Sequence, residues 1–146
     1  MSEQLKARVL LVDDEQDFLK MLSDRLKMRG LKVNTVSSGE EAVSKVEEQD
    51  YDAVILDLSM PGIDGLETIR QIKTKNPDAE IIMLTGHGSI KSSVEALKLG
   101  ATDYLQKPVD IKELLGKIGE AHDKRMLIVE KKSQQALEEI LKSRGW

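Results

Sequence analysis

Four places in the 146-residue chain carry residue types that do chemistry together: Asp13-Asp14, Asp57, Thr85 and Lys107. Carboxylates gathered in one crevice repel one another, so the ionised set is costly unless a cation compensates it. With no imidazole or thiolate among them the donors are all oxygen, which favours a hard ion. Mg2+ fits, because it accepts one or two carboxylates and keeps several waters. Lys107 adds a mobile point charge and Thr85 a hydroxyl donor. A carboxylate nucleophile, a divalent cation, a lysine and a hydroxyl are the parts needed to accept a phosphoryl group in line, its charge meeting all three compensating groups. Taken singly, each feature is weak. An acidic pair after a strand is usually a solvated helix start, a lysine before Pro108 a surface lysine, and Thr85-Gly86 a turn. Their joint placement decides.

That placement is read from the elements between them. Val9-Leu10-Leu11-Val12, Ala53 to Leu56 and Ile81-Ile82-Met83-Leu84 are continuous apolar runs, the pattern of strands covered on both faces. Leu31, Val33 and Thr35 alternate, and Ala101 to Gln106 is a weaker run; both suit edge strands. Helical patterns lie between. Ser38 with Glu41, Asp64 with Glu67 and Asp110 with Glu113 have capping-box spacing. Gly30, Gly100 and Asn76-Pro77 mark helix ends. This alternation predicts an α/β fold, a doubly wound five-stranded parallel sheet with right-handed crossovers and five helices. With the second and fifth strands at the edges, the order is 2-1-3-4-5, the flavodoxin-like arrangement. Asp13-Asp14, Asp57, Thr85 and Lys107 then all fall at the carboxyl ends of strands, where such sheets bind ligands. Asp57 is a charge at the tip of a buried strand, and Pro61 and Gly62 hold the chain behind it out of helix.

The blocks LLVDDEQDF, VILDLSMPGIDG, IIMLTGHGS and ATDYLQKPVD resemble, in order and spacing, those of bacterial response-regulator receiver domains, over about residues 7 to 120. TGHGSIKSSVEALKLGATDYLQKP looks most like the receivers of nitrogen-regulation-type transcription activators. The resemblance implies that Asp57 is the phosphoacceptor. It also implies that Asp13, Asp14, Asp57 and the backbone carbonyl of Ser59 hold Mg2+. Lys107 would pair with the carboxylate and then with the phosphoryl group, and Thr85 with Tyr104 would form the switch pair. Ser59 and His87 match positions that modulate loss of the phosphoryl group; His87 reads equally as a plain exposed loop histidine. The implied partner is a sensor histidine kinase or a histidine phosphotransfer protein. The implied readout is a face of the fourth helix, fifth strand and fifth helix, acting on a partner or output domain. The only catalysis implied is of the protein's own phosphotransfer and dephosphorylation.

Two other classes share parts of this pattern. A flavodoxin-like FMN binder would place a Ser/Thr/Gly-rich loop after the first strand, whereas Asp13-Asp14-Glu15 repels phosphate. An Mg2+-dependent phosphatase of the haloacid-dehalogenase type would place a second Asp two residues after the nucleophile, where Ser59 stands.

Composition adds bounds. A net charge of -4 gives no basic nucleic-acid footprint, and the absence of cysteine excludes disulfides and thiolate metal sites. No run approaches the roughly 20 apolar residues of a membrane span, and a cytoplasmic location is expected. Residues 1–120 are expected to form the receiver and 121–146 a helical extension or linker. In the latter, Met126, Val129, Ser133, Ala136 and Ile140 form a heptad-like stripe, widened by Leu127, Ile128, Leu137 and Leu141, that suits a homodimer. His122 is expected in solvent, and Met21, Met28 and Met126 in packing.

Overall fold

The computed structural model describes residues 6–58, 65–86 and 90–143, without the side chains of Ile90 and Lys91. The elements are β1 Arg8–Val12, α1 Gln16–Met28, β2 Lys32–Val36, α2 Gly39–Glu48, β3 Ala53–Asp57, α3 Gly65–Lys75, β4 Ile81–Thr85, α4 Ile90–Lys98, β5 Asp103–Gln106 and α5 Ile111–Ser143. The strands pair in parallel in the order β2-β1-β3-β4-β5, as expected.

Successive side chains of a strand point to opposite faces, so each apolar run feeds two cores. Leu10, Val12, Val54, Leu56, Ile81 and Met83 meet Ala42, Val46, Ile69, Ile72 and Ala96 of α2, α3 and α4. Val9, Leu11, Ile55, Ile82, Leu84 and Leu105 meet Leu19, Leu22 and Leu26 of α1 and Leu114, Ile118 and Ala121 of α5. Both faces of β3 and β4 are buried, which is why these runs show no polar alternation.

Local signals place the helix ends. Ser38 Oγ accepts the Glu41 N–H at 3.2 Å, and Asp110 Oδ1 accepts the N–H groups of Lys112 and Glu113. Gly30 and Gly100 take φ of 89° and 113° after α1 and α4, a conformation costly for any side chain. Asp64 lies outside the described residues. Helix α5 crosses residues 120 and 121 without a break, and Ala121 belongs to the core.

Two expectations are corrected. His122 is not in open solvent: its Nδ1 is buried and lies 3.0 Å from Asp52 Oδ1. Met21, Met28 and Met126 are 38%, 80% and 53% exposed, so they are not core packing. In each helix the core stripe is filled by Leu, Ile and Ala, leaving these methionines on the outer flank.

Candidate phosphoacceptor site

β1 and β3 are adjacent, which brings Asp13, Asp14 and Asp57 together at the carboxyl edge. One oxygen from each of the three carboxylates lies within 4.8 Å of the others; Asp13 and Asp57 are buried and Asp14 is exposed. Asp13 is fixed by its chain: its N–H donates to Val36 O at 3.2 Å, and its Oδ1 accepts the Glu15 N–H at 3.0 Å, turning the chain into α1. Asp57 ends a fully buried strand and is 4% exposed.

Lys107 reaches this cluster from β5. Its N–H donates to Thr85 O at 2.8 Å, and the Lys107–Pro108 peptide is cis. The ammonium donates to Asp13 Oδ2 at 2.8 Å and stands 3.5 Å from Glu15 Oε1 and 3.6 Å from Asp57 Oδ2. Burial would lower its pKa, but the Asp13 hydrogen bond and the charges of Asp13, Asp57 and Glu15 outweigh this and hold it above the ordinary lysine value. The ammonium is therefore charged at neutral pH.

Thr85 ends β4 and is buried; its hydroxyl donates to Leu105 O at 3.5 Å, a long bond. Tyr104, two positions from Gln106, the register partner of Thr85, is 45% exposed. Ser59 and His87 lie outside the described residues, as do Pro61 and Gly62. The donor set fits a hard divalent ion: three carboxylate oxygens converge, two of them buried, with one ammonium as counter-charge. Two neighbours were missed in sequence. Glu15 contacts Lys107, and the Phe18 ring centroid lies 4.3 Å from the lysine Nζ. Both stand in the block LLVDDEQDF, but nothing in spacing alone aims them at a residue about 90 positions away.

The fold and this crevice define a class. The sequence model described as "Response regulator receiver domain" matches residues 9–119, and the chain belongs to that family. Among curated proteins it is 39% identical over 113 residues to the "Transcriptional regulatory protein ZraR" of Klebsiella oxytoca, covering 77% of this chain and 26% of that protein. It is 44% identical over 115 residues to the "Probable transcriptional regulator ycf27" of Guillardia theta, covering 79% and 45%. The chain thus spans a quarter to a half of these relatives. A solved response regulator receiver domain from Clostridium thermocellum matches with TM-score 0.80 and 35% identity, over 84% of this chain and 98% of that one. NtrX from Brucella abortus matches with TM-score 0.80 and 28% identity, over 90% and 30%. This membership favours a receiver over the FMN binder and the phosphatase. Among the described residues no helix is long and apolar enough to cross a membrane.

Proposed function

We propose that this receiver accepts a phosphoryl group on Asp57 from a phosphorylated histidine of a sensor kinase or phosphotransfer protein. The observation that carries this reading is the buried Asp57 carboxylate at a strand tip, beside Asp13 and Asp14 and 3.6 Å from the Lys107 ammonium. An Asp57 oxygen donates its electron pair to phosphorus. The bond from phosphorus to the donor nitrogen breaks, its electrons return to the imidazole, and an acyl phosphate remains on the aspartate. Asp13, Asp14, Asp57 and the Ser59 carbonyl would hold Mg2+, which supplies positive charge against the incoming phosphate. Lys107 exchanges part of its hold on Asp13 for the phosphoryl oxygens.

The modification works as a switch by shifting a pre-existing equilibrium. The Thr85 hydroxyl would give up its long bond to Leu105 O, the one it makes among the described residues, when it turns to a phosphoryl oxygen. The exposed Tyr104 would then turn inward to fill the space Thr85 vacates. The readout surface would be α4, β5 and α5. Ser59 and His87 would tune hydrolysis from the rim. The relatives' names as transcription regulators point to gene control through a further output domain.

The test is intact-mass measurement after incubation with acetyl phosphate and Mg2+. The parent gains one phosphoryl group, Asp57→Asn gains none with an unchanged melting curve, and chelation abolishes labelling. Equal labelling of Asp57→Asn overturns the assignment.

A further inference from the structure

We infer that Phe18 is a positioning residue for Lys107, a neutral platform that keeps the ammonium over the carboxylate cluster while its anionic partners change. This rests on the reading of Asp57 as phosphoacceptor. Phe18 sits in the first turn of α1, five residues after Asp13, partly buried against the core shared by α1 and α5. Its ring lies 4.3 Å from Lys107 Nζ, within the range at which a ring quadrupole attracts a cation. Asp13, Asp57 and Glu15 contact the same ammonium.

The chemistry gives the ring a task that none of these carboxylates can perform. Lys107 is a flexible side chain with large rotamer freedom, and its productive position is one of many. A further carboxylate would also fix it, but would repel the phosphoryl donor and compete for the ammonium afterwards. A phenyl face attracts the cation without net charge, so it holds Lys107 equally well before and after the phosphoryl group arrives. Its apolar bulk also keeps water from that side of the ammonium, which strengthens the remaining electrostatic contacts. The ring is itself held, because Phe18 is partly buried and packs against the apolar core of α1 and α5.

The test compares Phe18→Leu, which keeps an apolar side chain but no ring face, with Phe18→Tyr, which keeps the face. Initial rates of labelling by acetyl phosphate at saturating Mg2+ are measured with melting curves. Loss of a cation–π contact at a part-exposed site predicts about a two- to fivefold slower rate for Phe18→Leu. Phe18→Tyr stays close to the parent. A second readout needs no labelling. Protons over a ring face are shifted upfield, so the Lys107 ε-methylene signals are upfield in the parent and in Phe18→Tyr, and return to ordinary lysine positions in Phe18→Leu. Parental labelling by Phe18→Leu overturns the inference, as does a Phe18→Tyr as slow as Phe18→Leu, or a parent whose ε-methylene signals are unshifted. Failure of the parent to label, or labelling of Asp57→Asn, instead removes the reading beneath it and leaves the ring-shift result standing as geometry.

Discussion

Gly65 offers the sharpest test of how the strand tip is held. It opens α3 after the 59–64 segment, and a Cβ built on it falls 2.6 Å from Leu58 Cα, 2.8 Å from Leu58 Cδ2 and 3.0 Å from Leu58 O. Two of those three atoms are backbone, so rotating a side chain cannot relieve Gly65→Ala. Either α3 or the chain at Leu58 must shift by several tenths of an ångström, and Leu58 directly follows Asp57. Overpacking of this kind costs about 1–3 kcal/mol, a fall in Tm of roughly 3–10 °C for a chain of this size. With Asp57 as the proposed nucleophile, its displacement is expensive as well, so labelling by acetyl phosphate should slow on the order of tenfold. Gly116→Ala is the control. It lies in α5 with nothing within 4 Å of the added Cβ, and gains about 0.5–1 kcal/mol from helix propensity alone. Calorimetry with intact-mass kinetics on the same samples reads both effects. A Gly65→Ala protein that melts and labels like the parent would refute the close approach of α3 to the strand tip.

Two further outcomes follow from pairs and faces away from the site. Burial would raise the pKa of Asp103, but Lys117 and the Tyr104 N–H outweigh it and lower it, so its contribution to stability is present above the ordinary aspartate pKa and lost as pH falls through the depressed value. The stability gap between parent and Asp103→Asn, read by urea titration, should be constant from pH 8 to about pH 5 and close below about pH 4; a gap that persists at lower pH refutes the pairing. On the distal part of α5, Met126, Val129, Leu137 and Ile140 are 45–56% exposed, and a second copy of the chain is the expected cover. Sedimentation should show a dimer for the parent and a monomer for Leu137→Glu/Ile140→Glu, whereas a monomeric parent at high concentration removes the idea.

Most of the architecture was legible because short-range physics dictates it. Strands buried on both faces have to read as apolar runs, and Ser38, Asp110, Gly30 and Gly100 act through backbone groups a few residues away. The gathering of Asp13, Asp14, Asp57, Thr85 and Lys107 at one edge was legible for a related reason: parallel topology sends every strand end to one edge, so position along the strand is enough. What stayed hidden depends on side-chain reach across long separations. Asp52 accepts the Arg8 N–H at 2.8 Å and faces His122 Nδ1 from 70 positions away; periodicity reports which face a residue occupies, not what stands opposite. The same reason hid Phe18. Its spacing marks it as apolar on α1, which is correct, but its second contact belongs to Lys107, just beyond the end of β5.

The two edges of the sheet carry similar residue types, and compensation is what separates a reactive edge from a holding one. At the amino edge the acids are answered: Asp52 and Asp50 by Arg125, Glu80 by Lys124 and Asp78 by Lys132, all from α5. The exposed pairs among these contribute about 0–1 kcal/mol each, while Asp52 and Glu80 are buried, and together they tie residues 124–132 of α5 to the amino edge. At the carboxyl edge, Asp13, Asp14 and Asp57 converge with Glu15 beside them, and Lys107 is the one cation in the ion pairs described there. A cluster so weighted toward negative charge is a poor fastening, because the ionised acids repel one another until positive charge is added. It is correspondingly a good receptor. The local excess of negative charge fits a divalent cation, which would supply the positive charge an incoming phosphate needs. Counting acids along the chain cannot tell the edges apart. The register of β1 against β3, which sets Val12 opposite Leu56 and so Asp13 beside Asp57, is what concentrates the charge at one of them.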